Sequence, residues 1–389
     1  MELGQRFLEL QPEMVRLRRW FHAHPEPSLK EEQTARQIAA ELDALGIPHE
    51  ALPPNHGLVA VVKGQAGGPA VALRADMDAL PVTERTGLPF ASQNPGFMHA
   101  CGHDAHVAML LGAARVLNET RNRWEGTVYC FFQPAEEIGQ GHQEALDWLE
   151  RRGGAGAVFG LHIWSLLPEG ELLLLPGAVF AGVMSYIVTL TGRGGHGGRP
   201  DLVRDPIKAA CDLVLKYAAI PTNFYDVLDP CVVNVGYMEA GTVGNVFPSR
   251  AKIHGGIRWF KPGGEERITD AMRRIAAGVG AAYGVECELS TFGMHPPVYN
   301  DPAFVERGRA LAPQIQGLRL SAQTEPIVAG DNMSFYLKRY PGFYGILGAG
   351  KPGTEIFSHH HECFDIDESA LRKGAEFLAR SALGYLGDK

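Results

Sequence analysis

The sequence predicts an α/β fold with a mostly parallel sheet, interrupted by an inserted α+β domain of ferredoxin-like order. Three observations carry that prediction. Strand and helix patterns alternate through residues 1–181, the order changes to βαββαβ over residues 182–292, and an α/β pattern returns over residues 293–389. Alternation of this kind needs a parallel sheet covered on both faces, and βαββαβ is the ferredoxin-like unit. A chain of 389 residues also exceeds what one hydrophobic core usually supports.

The elements justify this in order. "EEQTARQIAAELDALGI" has apolar residues at helical spacing and stops at Gly46. "PAVALRAD" is a short apolar run ending in charge, as a buried strand does. "AHVAMLLGAARVLNE" places Val107, Leu110, Leu111, Ala114 and Leu117 on one helical stripe. "GTVYCFFQPAEE" reads as a strand ending at Pro134, "HQEALDWLERRG" as a helix, and "GAVFGLHIW" as the next strand. In the insertion, the strands are "VMSYIVTLTGR", "CVVNVGYM", "AKIHGGIRW" and "VECELST". The helices between them are "DPIKAACDLVLKYAAI" and "GGEERITDAMRRIAAGVGAAYG". The helix "ESALRKGAEFLARSALGYL" closes the chain.

Composition narrows the function classes. Hydrophobic residues make up 45% and charged residues 21%, as in ordinary globular proteins. A net charge of -8 with no basic run argues against nucleic acid as a partner. The N-terminus lacks the apolar core of a signal peptide, and no uncharged apolar run reaches the ~18 residues of a membrane span. Six scattered cysteines without paired spacing fit a reducing compartment, so a cytoplasmic location is expected. Most of them sit in apolar strings such as "VYCFF" and "AACDLVL" and read as small buried hydrophobes. Cys101 differs, because glycine, histidine and aspartate follow it.

The polar residues of interest lie where predicted strands end. Asp76 and Asp78 follow "AVALRA", Glu136 and Glu137 follow "VYCFFQPA", and His162 ends "AVFGL". Open α/β sheets bind ligands beyond the carboxyl ends of their strands. Cys101 and His103 form a C-x-H pair before a helix, where a thiolate is favoured by a cation and by the helix N-terminus. Adjacent glutamates in extended backbone point apart, so one can bind metal while its neighbour faces water. "SHHHECFDIDE" adds further imidazoles. Taken singly, each piece is ordinary: an incidental C-x-H, a solvated Glu-Glu pair, a polar histidine turn. Together they supply more S, N and O donors than one tetrahedral ion takes, and two ions fit better.

Two competing classes are weaker. A cysteine hydrolase using Cys101 leaves Glu136, Glu137 and His162 without a role, and no G-x-S-x-G elbow exists for a serine hydrolase. "GRGGHG" at 192–197 matches G-x-G-x-x-G, but "GRPDLVRDP" intervenes before the next helix, against dinucleotide binding.

Seven stretches resemble, in order, the M20 amidohydrolases: "RRWFHAHPEPSLKEEQTA", "LRADMDALPV", "GFMHACGHDAH", "FFQPAEE", "GLHIW", "GGHGGRP" and "NVFPSRA". The branch they resemble comprises hippurate hydrolases, N-acyl-amino-acid deacylases and auxin-conjugate hydrolases. The likeness runs from about Arg18 to Asp367.

The resemblance implies a metal-binding catalytic domain, an inserted lid that also dimerises, and two divalent ions. Zinc, manganese or cobalt is expected, with nickel compatible. Carried over by position, the ligands are Cys101, His103, Glu137, His162 and one residue of the His359–His361 run, with spacing back from "FDIDE" favouring His360. Relatives often have proline where this chain has Glu362. Glu136 is the implied general base for a metal-bridging water that attacks the amide. His196 is the implied oxyanion donor, offered by the partner subunit of a homodimer or dimer of dimers. Asn245 matches a substrate-contacting asparagine, Arg258 is a candidate clamp for a substrate carboxylate, and Asp78 orients a ligand. Where relatives carry an acidic pair, as in "SEDF", this chain reads "GDNMS" with Asn332 in the second place. The implied activity is hydrolysis of N-acyl amino acids (acetyl, benzoyl or similar). A deacetylase of the N-acetyl-diaminopimelate type and a dipeptidase or carboxypeptidase are the alternatives within the family.

Overall fold

The computed structural model describes residues 2–387. The chain divides into two units. The first comprises Met1–Val179, Tyr299–Glu325 and Asp331–Lys389, and the second comprises Phe180–Val298 and Pro326–Gly330. The expected boundary at 292/293 is too early: the last strand of the insertion continues to His295. Residues 326–330 also belong to the second unit rather than the first.

The first unit opens with helices α1 (Leu3–Ala23) and α2 (Glu32–Ala44) and strands β1 (His49–Leu52), β2 (Gly57–Lys63) and β3 (Gln65–Asp76). Helix α3 (His103–Glu119), strand β4 (Glu125–Gln133), helix α4 (His142–Arg151) and strands β5 (Ala157–Pro168), β6 (Glu171–Leu173) and β7 (Gly177–Phe180) follow. The second unit holds β8 (Gly182–Thr191), β9 (Gly195–His196), α5 (Pro206–Ala218), α6 (Ile220–Asn223), β10 (Val232–Ala240) and β11 (Val246–Phe247). It ends with β12 (Arg250–Trp259), α7 (Gly264–Tyr283) and β13 (Glu286–His295). The chain then adds β14 (Val298–Asn300), α8 (Pro302–Leu311), β15 (Arg319–Leu320), α9 (Met333–Arg339), β16 (Gly342–Gly350) and α10 (Ala370–Leu386).

The large sheet has the order β1-β2-β4-β3-β5-β16-β6-β15, and its central run β4-β3-β5-β16 is parallel. After β3 the chain moves to one side for β4 and then to the other side for β5. That reversal opens a crevice at the carboxyl end of β3, the place where open α/β sheets bind ligands. Helix α3 is buried almost all round because it packs between α1, α10 and the sheet. Val71, Leu73 and Ala75 of β3 join its core, as the period of two requires.

Helix α1 was not expected from the sequence. Pro12 lies inside it and removes a backbone donor, which costs about 3 kcal/mol in a helix interior. The stripe Phe7, Leu10, Met14, Leu17 and Phe21 is fully or almost fully buried. Burial at roughly 1.5–3 kcal/mol per side chain outweighs the proline.

The second unit is a four-stranded antiparallel sheet in the order β10-β12-β8-β13, with α5 and α7 packed on it. Its core includes Tyr186, Tyr217, Trp259 and Met272. The reading of most cysteines as buried is corrected: besides Cys101 only Cys130 is buried, Cys231, Cys287 and Cys363 are half-buried, and Cys211 stands out most. It is exposed, because Ala209, Ala210, Leu213 and Tyr217 form the inward stripe of α5 and leave position 211 outside it. Among the described residues, no helix is long and apolar enough to cross a membrane.

Candidate metal centre

Five chain segments meet at the crevice beside β3, carrying Asp76 and Asp78, Cys101 and His103, Glu136 and Glu137, His162, and His360. The first crosses Asp76 and Asp78. The Asp78 backbone carbonyl accepts from His103 Nδ1 at 2.9 Å, which leaves Nε2 for the site. His103 is the first residue of α3, after a left-handed Gly102 (φ 88°). A Cβ at Gly102 would stand 2.5 Å from Ile163 Cγ2, so only glycine lets Cys101 and His103 flank this turn.

The glutamate pair follows β4 but does not lie in extended backbone, as the sequence had implied. β4 ends at Gln133, Ala135 is left-handed (φ 57°), and Glu136–Ile138 forms a short 3₁₀ turn. The two side chains diverge all the same. Glu136 Oε1 accepts the Asn332 backbone N–H at 3.0 Å. Glu137 faces two imidazoles, with Oε1 3.9 Å from His103 Nε2 and Oε2 3.8 Å from His360 Nε2.

His162 comes from the middle of β5, not from its end. β3 pairs with β5 only as far as Gly160, and β5 continues beside β16 to Pro168. His162 therefore stands level with the rim that β3 leaves. Its Nδ1 donates to the Ile163 carbonyl at 2.6 Å, and its Nε2 lies 3.6 Å from Cys101 Sγ.

The three consecutive histidines separate cleanly. His359 is packed on Trp164 at 4.2 Å between ring centroids, and its Nε2 bonds the Ile163 carbonyl. His361 is exposed, and its Nδ1 accepts the Cys363 N–H. His360 alone of the run presents a nitrogen to Cys101 and Glu137, the three ligand atoms lying within 4.8 Å of one another. It adopts φ 68°, a left-handed conformation costing roughly 1–2 kcal/mol for a residue with a Cβ. Its N–H to the Ala100 carbonyl, at 2.8 Å, holds it there.

Electrostatics follow from the burial. Desolvation, then Asp331 and Glu137, push the Glu136 carboxyl well above the usual range. Desolvation pushes Glu137 up to about 7 even against His103. Burial opposes charge on His103, but Asp76, Cys101 and Asp78 outweigh it and push that imidazole up. Desolvation, then Glu137, raise the Cys101 thiol well above its ordinary value. Burial, then His106 and His359, hold His162 well below its own.

The family model for Peptidase family M20/M25/M40 matches residues 72–384. The chain belongs to peptidase family M20. This M20 hydrolase is 36% identical to the N-acetylcysteine deacetylase of Bacillus subtilis (strain 168) over 95% of this chain and 96% of that relative. It is 36% identical to an N-acyl-L-amino acid amidohydrolase of Geobacillus stearothermophilus over 75% of this chain and 79% of that one. The Bacillus subtilis YXEP protein, a dinuclear metal binding peptidase from the M20 family, superposes with a TM-score of 0.86 at 33% identity. The superposition covers 98% of this chain and 100% of that one.

The residues of this M20 chain fit divalent ions. His103 Nε2 and Glu137 Oε1 are buried and have no hydrogen-bond partner among the described residues. Their 3.9 Å separation is too long for a hydrogen bond and short enough for one cation to touch both. Cys101, His103 and His162 form one group of candidate ligands, and His103, Glu136 and Glu137 another. His106 also lies near, but its Nδ1 bonds Asp76 at 2.5 Å and its Nε2 accepts the Ile163 N–H, so both ring nitrogens are occupied.

Several side chains of the M20 site were not assigned from sequence. Arg74 is wholly buried and donates to Asp76 at 2.7 Å, to Asp331 at 3.0 Å and to Gln133 at 3.0 Å. A lone arginine in the apolar run "AVALRAD" was the signal for it. Removing one partner of such a buried ionic group typically costs about 3–5 kcal/mol. Asp331 of "GDNMS" is therefore spent on Arg74 and Tyr344, while the Asn332 amide donates to the Gln140 carbonyl at 2.8 Å. A carboxylate at 332 has no hydrogen to offer that carbonyl.

In the second unit His196 lies on β9, opposite Val246 of β11, and its Nδ1 accepts the Gly198 N–H. The Asn245 carbonyl accepts the Gly197 N–H at 2.8 Å, which brings the exposed His196 and Asn245 side by side at the paired strands β9 and β11. Arg258 is on β12, and its guanidinium bonds the Ile257 carbonyl at 2.9 Å. The glycines at 192–197 lead into β9, and α5 starts only at Pro206, which removes the dinucleotide reading.

Proposed function

We propose that this M20 hydrolase cleaves the amide bond of N-acyl amino acids, with Cys101, His103, Glu137, His162 and His360 holding two divalent ions. The observation that carries the reading is the convergence of thiol, imidazole and carboxylate donors, with two of their buried atoms unpartnered, on the crevice beside β3. Bound there, zinc, manganese or cobalt (nickel is compatible too) supplies Lewis acidity toward water and the amide carbonyl. Glu136 takes a proton from the attacking water and returns it to the departing nitrogen. Its raised affinity for protons suits a base that must later act as an acid.

His196 and Asn245 are assigned to the substrate's reacting carbonyl, and Arg258 to its free carboxylate. Relatives described as a deacetylase of N-acetylcysteine and an N-acyl-L-amino acid amidohydrolase support this substrate class. A cysteine nucleophile is disfavoured. Burial and then Glu137 push its thiol well up even against the opposing pull of His103, and a thiol nucleophile leaves Glu136, Glu137 and His360 without a role.

A panel of acetyl, benzoyl, long-chain acyl and indole-acetyl amino acids, assayed with each metal, tests the activity. Turnover that needs metal and vanishes with a chelator is expected. Full activity in protein shown metal-free by elemental analysis would end the reading. The protein is further proposed to act in the cytoplasm, which cell fractionation checks, as a homodimer in which His196 serves the neighbouring subunit's site. Mixing His196→Ala and Glu136→Ala subunits then restores part of the activity. No recovery despite proven subunit exchange removes the shared site.

A further inference from the structure

The stretch "HPEPSLKEEQTA" marks the family in the sequence, yet nothing in the proposed chemistry uses it. The structure docks it against the site. Glu26 accepts from Ala79 through its backbone and from Thr34 through its carboxylate. Ser28 donates to Asp78 Oδ2 at 2.6 Å, and Leu29 is left-handed (φ 66°). Glu31 is wholly buried, and its Oε1 accepts the Ala135 N–H at 2.8 Å. Asp78 accepts the next two amides, with Glu136 N–H on Oδ1 and Glu137 N–H on Oδ2, both at 3.1 Å. Two carboxylates thus hold three consecutive backbone donors across the turn that separates Glu136 from Glu137. Ala135 carries the left-handed strain of that turn.

We propose that Glu31 is a positioning residue for the hydrolytic reaction: by holding the Ala135 amide it locks the turn that aims Glu136 at the reacting water and Glu137 at the metal. The claim rests on the roles assigned above to Glu136 and Glu137. What Glu31 supplies is an acceptor at a set distance, which a glutamine amide oxygen also provides. Alanine removes the acceptor and leaves a buried N–H unmatched beside a strained residue. A site displaced by about 1 Å loses on the order of 10²-fold in rate.

The test compares Glu31→Ala and Glu31→Gln. In the alanine variant, kcat falls about 10- to 100-fold with KM within about threefold, and the glutamine variant stays within about threefold of wild type. Wild-type kcat in Glu31→Ala, or a glutamine variant as slow as the alanine one, overturns the proposal. A crystal structure of Glu31→Ala reads the turn without any assay. Ala135 is expected to leave the left-handed region and Glu136 to lose Asn332; an unchanged turn overturns the proposal. Should alanine prevent folding, Glu31→Asp withdraws the acceptor by one methylene and carries the same expectations. Wild-type protein inactive on every N-acyl amino acid would sink the functional reading, while the crystal structure would still decide Glu31.

Discussion

Replacing Glu136 by alanine lowers turnover by about 10²–10⁴-fold, the range that a positioned general acid–base supplies, or about 3–5 kcal/mol of transition-state stabilisation. The metals stay. Glu136 Oε1 is turned to the Asn332 N–H rather than to the imidazoles that Glu137 faces, so its removal withdraws the proton carrier and leaves most donors in place. KM should change little, because the group acts on water and on the leaving nitrogen. Kinetics on the metal-replete variant, with metal content measured on the same sample, provide the check. A near-normal rate removes Glu136 from the mechanism, and loss of metal in parallel makes it a ligand instead.

The second large effect separates two buried cysteines. Cys101→Ser should weaken metal affinity by at least about 100-fold, since a hydroxyl does not ionise as a thiol does and even supporting residues are worth 10–100-fold. Cys130→Ser should leave affinity within about twofold. Cys130 lies in the core of β4, where burial pushes its thiol up to about 12, and a hydroxyl there lacks a partner. Its cost is therefore paid in stability, about 1–3 kcal/mol. Competition with a chelator and thermal denaturation of both variants give a crossed result if the assignment holds. Equal effects of the two on affinity contradict it.

Much of the framework was legible. The stripe from Val107 to Leu117 has a period that only a helix buries, and "AVALRAD" ends in charge because β3 ends at the rim. The βαββαβ order of the insertion gave its sheet, since each helical crossover leaves room for an antiparallel neighbour. Less was legible where two residues look alike in sequence. His359, His360 and His361 are chemically the same, and only packing sends one onto Trp164, one outward and one toward Glu137. Glu136 and Glu137 were expected to diverge through extended backbone, but a left-handed alanine and a 3₁₀ turn do it instead. Glu31 carried no signal of its own, because its partner is an amide 104 positions away.

The sequence by itself determined the kinds of donor and their order along the chain, because periodicity and strand length decide which residues reach the rim. Tertiary structure alone decided which atoms face one another. Those distances depend on the level at which β3 stops beside β5, on the left-handed residues Gly102, Ala135 and His360, and on buried carboxylates that hold distant backbone amides. None of these is a local property of the chain. Each is set by long-range packing, which couples segments that the sequence keeps far apart.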